Sequence, residues 1–88
     1  MALWNVNKID RVWNNILKYE GEPFYTVTNI EYRYVVKDNY ILVNDDPRRR
    51  ISKANFEKAL EIVNPTPSKI NLRGQSYIYG IITDSRIL

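Results

Sequence analysis

Three consecutive arginines, Arg48, Arg49 and Arg50, are the residues of this 88-residue chain best suited to chemistry by their type and spacing. A guanidinium is a planar, permanently charged fork of donors that matches phosphate or carboxylate oxygens two at a time. Ser52 follows closely and reads as the N-cap of a helix, so the arginines abut a helix start. Unpaired backbone N–H groups and the helix dipole favour an anion there. Lys53, one position into that helix, and Lys69 and Arg73, on the connector after it, extend the basic set. Charge is distributed to match: residues 1–46 carry 5 Lys+Arg against 7 Asp+Glu, net −2, whereas residues 47–88 carry 8 against 3, net +5. The competing reading is a solvated basic loop, or one whose arginines pair with Asp45, Asp46 and Glu57 nearby in sequence.

Aromatic residues supply a second kind of chemistry, since Tyr32, Tyr34 and Tyr40 beside Arg33 and Lys37 could stack on unpaired bases. The alternation of the segment places Tyr32 and Tyr34 on its core face and Tyr40 on the opposite face, with Arg33 and Lys37. Tyr40 is therefore the candidate for an exposed contact. Arg73-Gly74-Gln75-Ser76-Tyr77 combines a cation, a flexible glycine and a hydroxyl, and reads either as a phosphate-wrapping loop or as a turn into the last element. Thr83-Asp84-Ser85-Arg86 reads as the end of an element.

Catalysis has little to draw on. The chain has no cysteine and no histidine, which removes the thiol nucleophile, the thiolate zinc site, the usual general base and the usual transition-metal ligand. Asp45 and Asp46 with Glu57 or Glu61 could hold a divalent cation through oxygen, but adjacent aspartates before Pro47 read more simply as a turn. A phosphate-binding glycine loop and a carboxylate-x-Lys arrangement are both missing, and glycine occurs only three times. The expectation is a protein that is not an enzyme, with no catalytic residue, no metal and no cofactor, and with no small-molecule substrate evident.

The elements that must position these residues follow from apolar period. Lys8 to Tyr19 sets Ile9, Val12, Trp13, Ile16 and Leu17 on one face of a helix, with Asn7 as N-cap and Gly21 as its left-handed end; Trp4 precedes it and could fold onto the same face. From Ile30 to Val36 the period becomes two, and Asp38-Asn39 serves as a two-residue turn tolerant of positive φ. That register sets Val36 opposite Ile41 and Tyr34 opposite Val43, collecting Ile30, Tyr32, Tyr34, Val36, Ile41 and Val43 on one face. Phe24 to Thr28 adds a strand to complete a three-stranded antiparallel meander. The second helix spans about Lys53 to Val63, with Ile51 and Phe56 as a hydrophobic staple and Phe56, Ala59, Leu60 and Val63 inward, and stops at Asn64-Pro65-Thr66-Pro67. For Tyr77 to Thr83, composition favours a strand closing the sheet, while a short helix capped by Ser76 would put Ile78, Ile81 and Ile82 on one face.

Residues 1–88 thus read as one small α+β domain: N-terminal helix, meander, second helix, and a C-terminal strand or short helix. Lys8, Asp10, Arg11, Lys18 and Glu20 interrupt the first twenty residues, which excludes a signal peptide or membrane span there and makes the cytoplasm the expected compartment. Two functions fit. One is a non-catalytic nucleic-acid-binding module in which Arg48, Arg49, Arg50 and Lys53 meet phosphates, assisted by Lys69, Arg73 and Tyr40. The other is a protein-binding inhibitor or adaptor, of the anti-restriction or anti-CRISPR kind carried by phages and mobile elements. It would act on a host nucleic-acid enzyme, with the same arginines on an acidic surface and Trp4, Tyr40 or Tyr79 as anchors.

Overall fold

A computed structural model describes residues 8–62 and 66–87. The expected cap Asn7, the aromatic Trp4, the inward Val63 and the Asn64-Pro65 stop lie outside the described residues. The first helix, α1 (Lys8–Lys18), buries Val12, Trp13 and Ile16 and carries Asp10 in its first turn, where the dipole favours it. Gly21 takes φ 86° just beyond it, the left-handed conformation expected at a helix end. Leu17 departs from expectation: it stands 45% exposed, because the face that meets the core is filled by the residues at i, i+1 and i+4 from Val12.

Two short strands follow, β1 (Phe24–Tyr25) and β2 (Glu31–Tyr32), paired antiparallel with Phe24 opposite Tyr32. The strand expected to reach Thr28 stops at Tyr25, because Thr26 to Ile30 closes on itself as a tight loop. Asn29 N donates to Thr26 O at 2.8 Å, Ile30 N to Thr26 Oγ1 at 3.1 Å, and Asn29 adopts φ 66°. Ile30 is drawn into that loop and is 62% exposed, not part of the core face.

β3 (Tyr34–Val36), β4 (Tyr40–Val43) and β5 (Arg50–Ser52) form a three-stranded antiparallel sheet in that order. Tyr34 faces Val43 and Val36 faces Ile41, the register read from the alternation. The third strand of the meander is therefore β5, with Ile51 opposite Ile41, and not the Phe24 segment. The chain changes partners at Arg33, whose N–H donates to Asn44 Oδ1 at 3.1 Å and whose carbonyl accepts from Asn44 N at 2.6 Å. Alternation survives the break, so Tyr32 and Tyr34 are both buried. The Asp38-Asn39 turn forms, closed by Lys37 N to Tyr40 O at 2.9 Å, but neither residue adopts the positive φ expected of it. Asn39 O instead accepts from Lys53 N at 2.7 Å.

Ser52 caps the second helix, α2 (Lys53–Leu60), by accepting from Asn55 N, and Ile51 and Phe56 are both buried as a staple requires. A one-turn helix, α3 (Pro67–Ile70), capped by Thr66, leads through left-handed Asn71 toward the last helix, α4 (Gln75–Ile82). The expected C-terminal strand is thus a helix. Period two would separate Ile81 from Ile78 and Ile82, whereas helical spacing buries all three together. Its N-cap is left-handed Gly74, not Ser76. Gly80 is explained by packing: a Cβ there would lie 2.6 Å from both Tyr25 O and Tyr32 Oη.

α1, α2 and α4 meet the inner faces of both sheets in one core containing Trp13, Phe24, Tyr32, Tyr34, Phe56 and Ile78. Fully burying each such side chain is worth about 1.5–3 kcal/mol. The two buried tyrosines also tie layers together, since Tyr34 Oη donates to Ile16 O at 2.6 Å and Tyr32 Oη to Tyr77 O at 2.8 Å. Burial pushes both phenols above their ordinary pKa. They are core residues and offer no stacking platform. No helix among the described residues is long and apolar enough to cross a membrane.

Candidate nucleic-acid interface

The loop between β4 and β5 positions the arginines. Asn44 and Asp45 both take φ 55°, reversing the chain, and Val43 N donates to Arg49 O at 3.0 Å to close it. Asp46 holds the loop from within. Its Oδ1 accepts from Arg48 N at 3.0 Å and Arg48 Nε at 3.2 Å; its Oδ2 lies 3.2 Å from Arg48 Nη2 and 3.7 Å from Arg49 Nε. Hydrogen bonds from Arg48 hold this carboxyl below the ordinary aspartate range. Asp46 is thereby a loop brace, and no group of three carboxylates that could hold a metal forms among the described residues.

The three arginines diverge because only Arg50 lies in a strand. Arg50 opens β5 opposite Leu42, on the outer face of the sheet, and its guanidinium carbon sits 3.9 Å from the centroid of the Tyr40 ring. Such a stack stiffens the arginine while leaving the edge of its fork free to donate. Arg49 reaches the other way, donating to Tyr77 Oη, with its guanidinium carbon 5.8 Å from that ring. Arg48 projects outward and its side chain is 88% exposed despite the bonds to Asp46.

Arg73 comes to this cluster from the loop before α4. Gly74, at φ 80° and ψ 23°, turns the chain there, and a Cβ on it would lie 2.9 Å from Ile51 Cδ1. That close approach docks the loop against β5. Arg48, Arg49, Arg50 and Arg73 consequently line one cavity of about 210 Å³ with Gly74 and Tyr77. A neighbouring depression of about 440 Å³ shares Arg48, Arg50 and Arg73 and continues to Ser52 and Asn55 at the start of α2. On the other side, about 310 Å³ lined by Thr26, Thr28, Ile30, Gln75 and Ser76 shares Gly74 and Tyr77 with the first. The three adjoin in sequence, with the arginines lining the central and the larger one.

Two residues expected at this site are placed elsewhere. Lys53 Nζ lies 3.3 Å from Asp10 Oδ1 and 6.0 Å from the Trp13 ring, so it ties α2 to α1. Lys69 is exposed in α3 and lines none of these cavities. The α2 start is also less available than expected, because Asn39 O takes Lys53 N–H and Ser52 takes Asn55 N–H. Sequence reasoning missed Asn55 as a lining residue and the pairing of Arg49 with Tyr77, 28 positions away, for which no local signal exists. Comparison with protein-family models, curated proteins and solved structures finds no match for this chain.

Proposed function

We propose that this protein is a non-catalytic nucleic-acid-binding module that engages the phosphate backbone through Arg48, Arg50 and Arg73, with Arg49 braced on Tyr77. The observation that carries this reading is the convergence of Arg73 with the Arg48–Arg50 loop. Four arginines line one concavity, and Asp46 is the one carboxylate that pairs with any of them among the described residues. An excess of arginine over its counterions, held rigid by a tyrosine stack and a loop brace, suits phosphate better than it suits solvent. Contacts of this type position a polyanion with little base selectivity.

Titrating labelled oligonucleotides of unrelated sequence across a salt series tests this. Replacing Arg48, Arg50 and Arg73 by Ala is expected to weaken binding to all sequences about equally. It should also flatten the dependence of log K on log salt by roughly 0.7–0.9 for each phosphate interaction removed. Binding that is absent at low salt, or unchanged in the triple variant, overturns the reading.

A second reading, an inhibitor or adaptor that docks on an acidic protein surface, is favoured by the β1–β2 hairpin. Tyr25, Val27 and Ile30 are 48%, 61% and 62% exposed there, beside the basic cavity. Such a partner would be recovered from lysate after nuclease treatment, and the triple arginine variant would slow its association.

A further inference from the structure

We infer that the arginine site takes single-stranded nucleic acid in preference to duplex, with an unpaired base stacked on the outward face of the Arg50 guanidinium. This rests on the nucleic-acid reading above and specifies the form of the polymer. The first observation is the Tyr40–Arg50 stack. The guanidinium carbon lies 3.9 Å from the centroid of the phenol ring, the approach of a cation seated over a ring face, and Arg50 remains exposed on the outer face of the sheet. A planar cation fixed in this way presents its second face as a platform of fixed orientation, and unstacked bases use arginine planes as readily as aromatic rings. A base paired inside a duplex has both faces covered by its neighbours and cannot be received there.

The second observation is the shape of the surface. Three linked depressions of about 310, 210 and 440 Å³ run from Thr26 and Thr28, through the arginines, to Ser52 and Asn55. Charge is shared by the central depression and the larger one, where Arg48, Arg50 and Arg73 stand beside Ser52 and Asn55, while the 310 Å³ depression is lined by hydroxyl and amide groups with no charged side chain. A flexible strand can follow such a track, its backbone held by the arginines and its bases turned toward the neighbouring hydroxyl and amide groups. A stiff duplex would touch only the rim. Thr26, Thr28, Gln75 and Ser76 in the neutral depression, and Ser52 and Asn55 beside the arginines, offer hydrogen-bonding groups to base edges that a single strand exposes and a duplex hides.

The experiment separates base stacking from backbone attraction. Fluorescence anisotropy of the whole chain is measured against three probes of equal length and phosphate count per strand: a single strand, the same strand with abasic sites throughout its centre, and the duplex. Each is titrated at several salt concentrations with the wild type, R50K and R50A. Wild type is expected to bind the intact single strand at least about fivefold tighter than the abasic strand, the lower end of what one stacked base contributes. It should also prefer it over the duplex. R50K keeps the charge and removes the plane, so it should leave the salt slope nearly unchanged and lose the preference for bases, its affinity for the intact strand falling to that for the abasic one. R50A should lose the preference and also flatten the slope. Thermal melts within a few degrees of wild type establish that both variants fold, and Y40A, which removes the support and leaves the arginine, gives an independent variant expected to lose the same preference. Equal affinity for intact and abasic strands, or a preference that survives in R50K, overturns the inference while leaving backbone binding standing. Absence of binding to all three probes at low salt overturns the nucleic-acid reading, and this inference with it.

Discussion

Arg86 donates from Nε and Nη2 to Asp84 at 2.9 and 2.8 Å, and from Nη2 to Pro23 O at 2.9 Å, while its guanidinium carbon lies 4.1 Å from the centroid of Phe24. Both partners of the ion pair are two-thirds or more buried. Those hydrogen bonds hold the Asp84 carboxyl below its ordinary pKa. A depressed folded-state value means that protonation disfavours the fold. The stabilisation is therefore full above the ordinary aspartate value of about 3.9 and is lost as pH falls from there through the folded-state value. Urea denaturation of wild type and D84N between about pH 6 and pH 2.5 should give stabilities that differ at the upper end and converge toward the lower. R86A should lose about 1.5–3 kcal/mol at neutral pH, the range for hydrogen bonds to a charged group. Asp46 is held low in the same direction by Arg48, but on an exposed loop, so D46N should leave denaturation nearly unchanged and act instead on the orientation of Arg48. The basic triplet and its turn are visible in the residue types. The diversion of Lys53 to Asp10, 43 positions away, is not, because a lysine beside arginines looks equivalent to them until the helices pack.

Among the elements, α4 separates what local pattern can determine from what packing decides. Ile78, Ile81 and Ile82 are β-branched and suit a strand as well as a helix, and Gly80 weakens either. What resolves them is the near approach of the helix to β1 and β2, at a distance only a residue without Cβ permits. Gly80→Ala would improve helix propensity by about 1 kcal/mol on an isolated peptide, yet here it must displace Tyr25 backbone and the Tyr32 hydroxyl. The expected outcome is a net loss of about 1–3 kcal/mol by chemical denaturation; a gain would show that the helix can move away without consequence. The β3–β4 hairpin is the opposite case. A slip of one residue would turn either Tyr34 and Val36 or Ile41 and Val43 outward, away from the other pair, so parity alone determines the register. Cap chemistry at α2 is equally local, and Ser52→Ala should cost about 0.5–2 kcal/mol.

For the molecule as a whole, the α+β class follows from two apolar periods in one short chain, while the assignment of the meander's third strand does not. Arg50–Ser52 looks like the end of a basic loop because Ile51 is its one buried residue, and only pairing with β4 reveals a strand. Trp13 sits at the centre of the arrangement, 6% exposed and 5.9 Å from the Phe56 ring across the α1–α2 interface. Trp13→Ala should lower stability by about 3–5 kcal/mol. A loss below about 1 kcal/mol would mean that α1 docks weakly. The same change should leave oligonucleotide affinity of the folded fraction unaltered, since no arginine of the site touches that interface.

Asn15 Nδ2 donates to Ile87 O at 2.8 Å, and Arg86 reaches back to Pro23, so the beginning and end of the described chain are fastened to each other across 72 and 63 positions. During synthesis these partners become available only after residue 87 has left the ribosome. Until α4 itself has emerged, α2 and β1 lack the helix they pack against and the Gly74 loop that brings Arg73 to β5 has no anchor behind it. Closing so long a loop before its contacts can form slows folding, and it makes acquisition of the fold and assembly of the basic surface a single late event. A nascent chain stalled before α4 would expose Phe24, Tyr32 and Tyr34 to proteases and chaperones while carrying all four arginines, with Arg73 not yet held against β5. Partner binding and protease resistance should therefore appear together, in one step, as stalled chains are lengthened past the last helix.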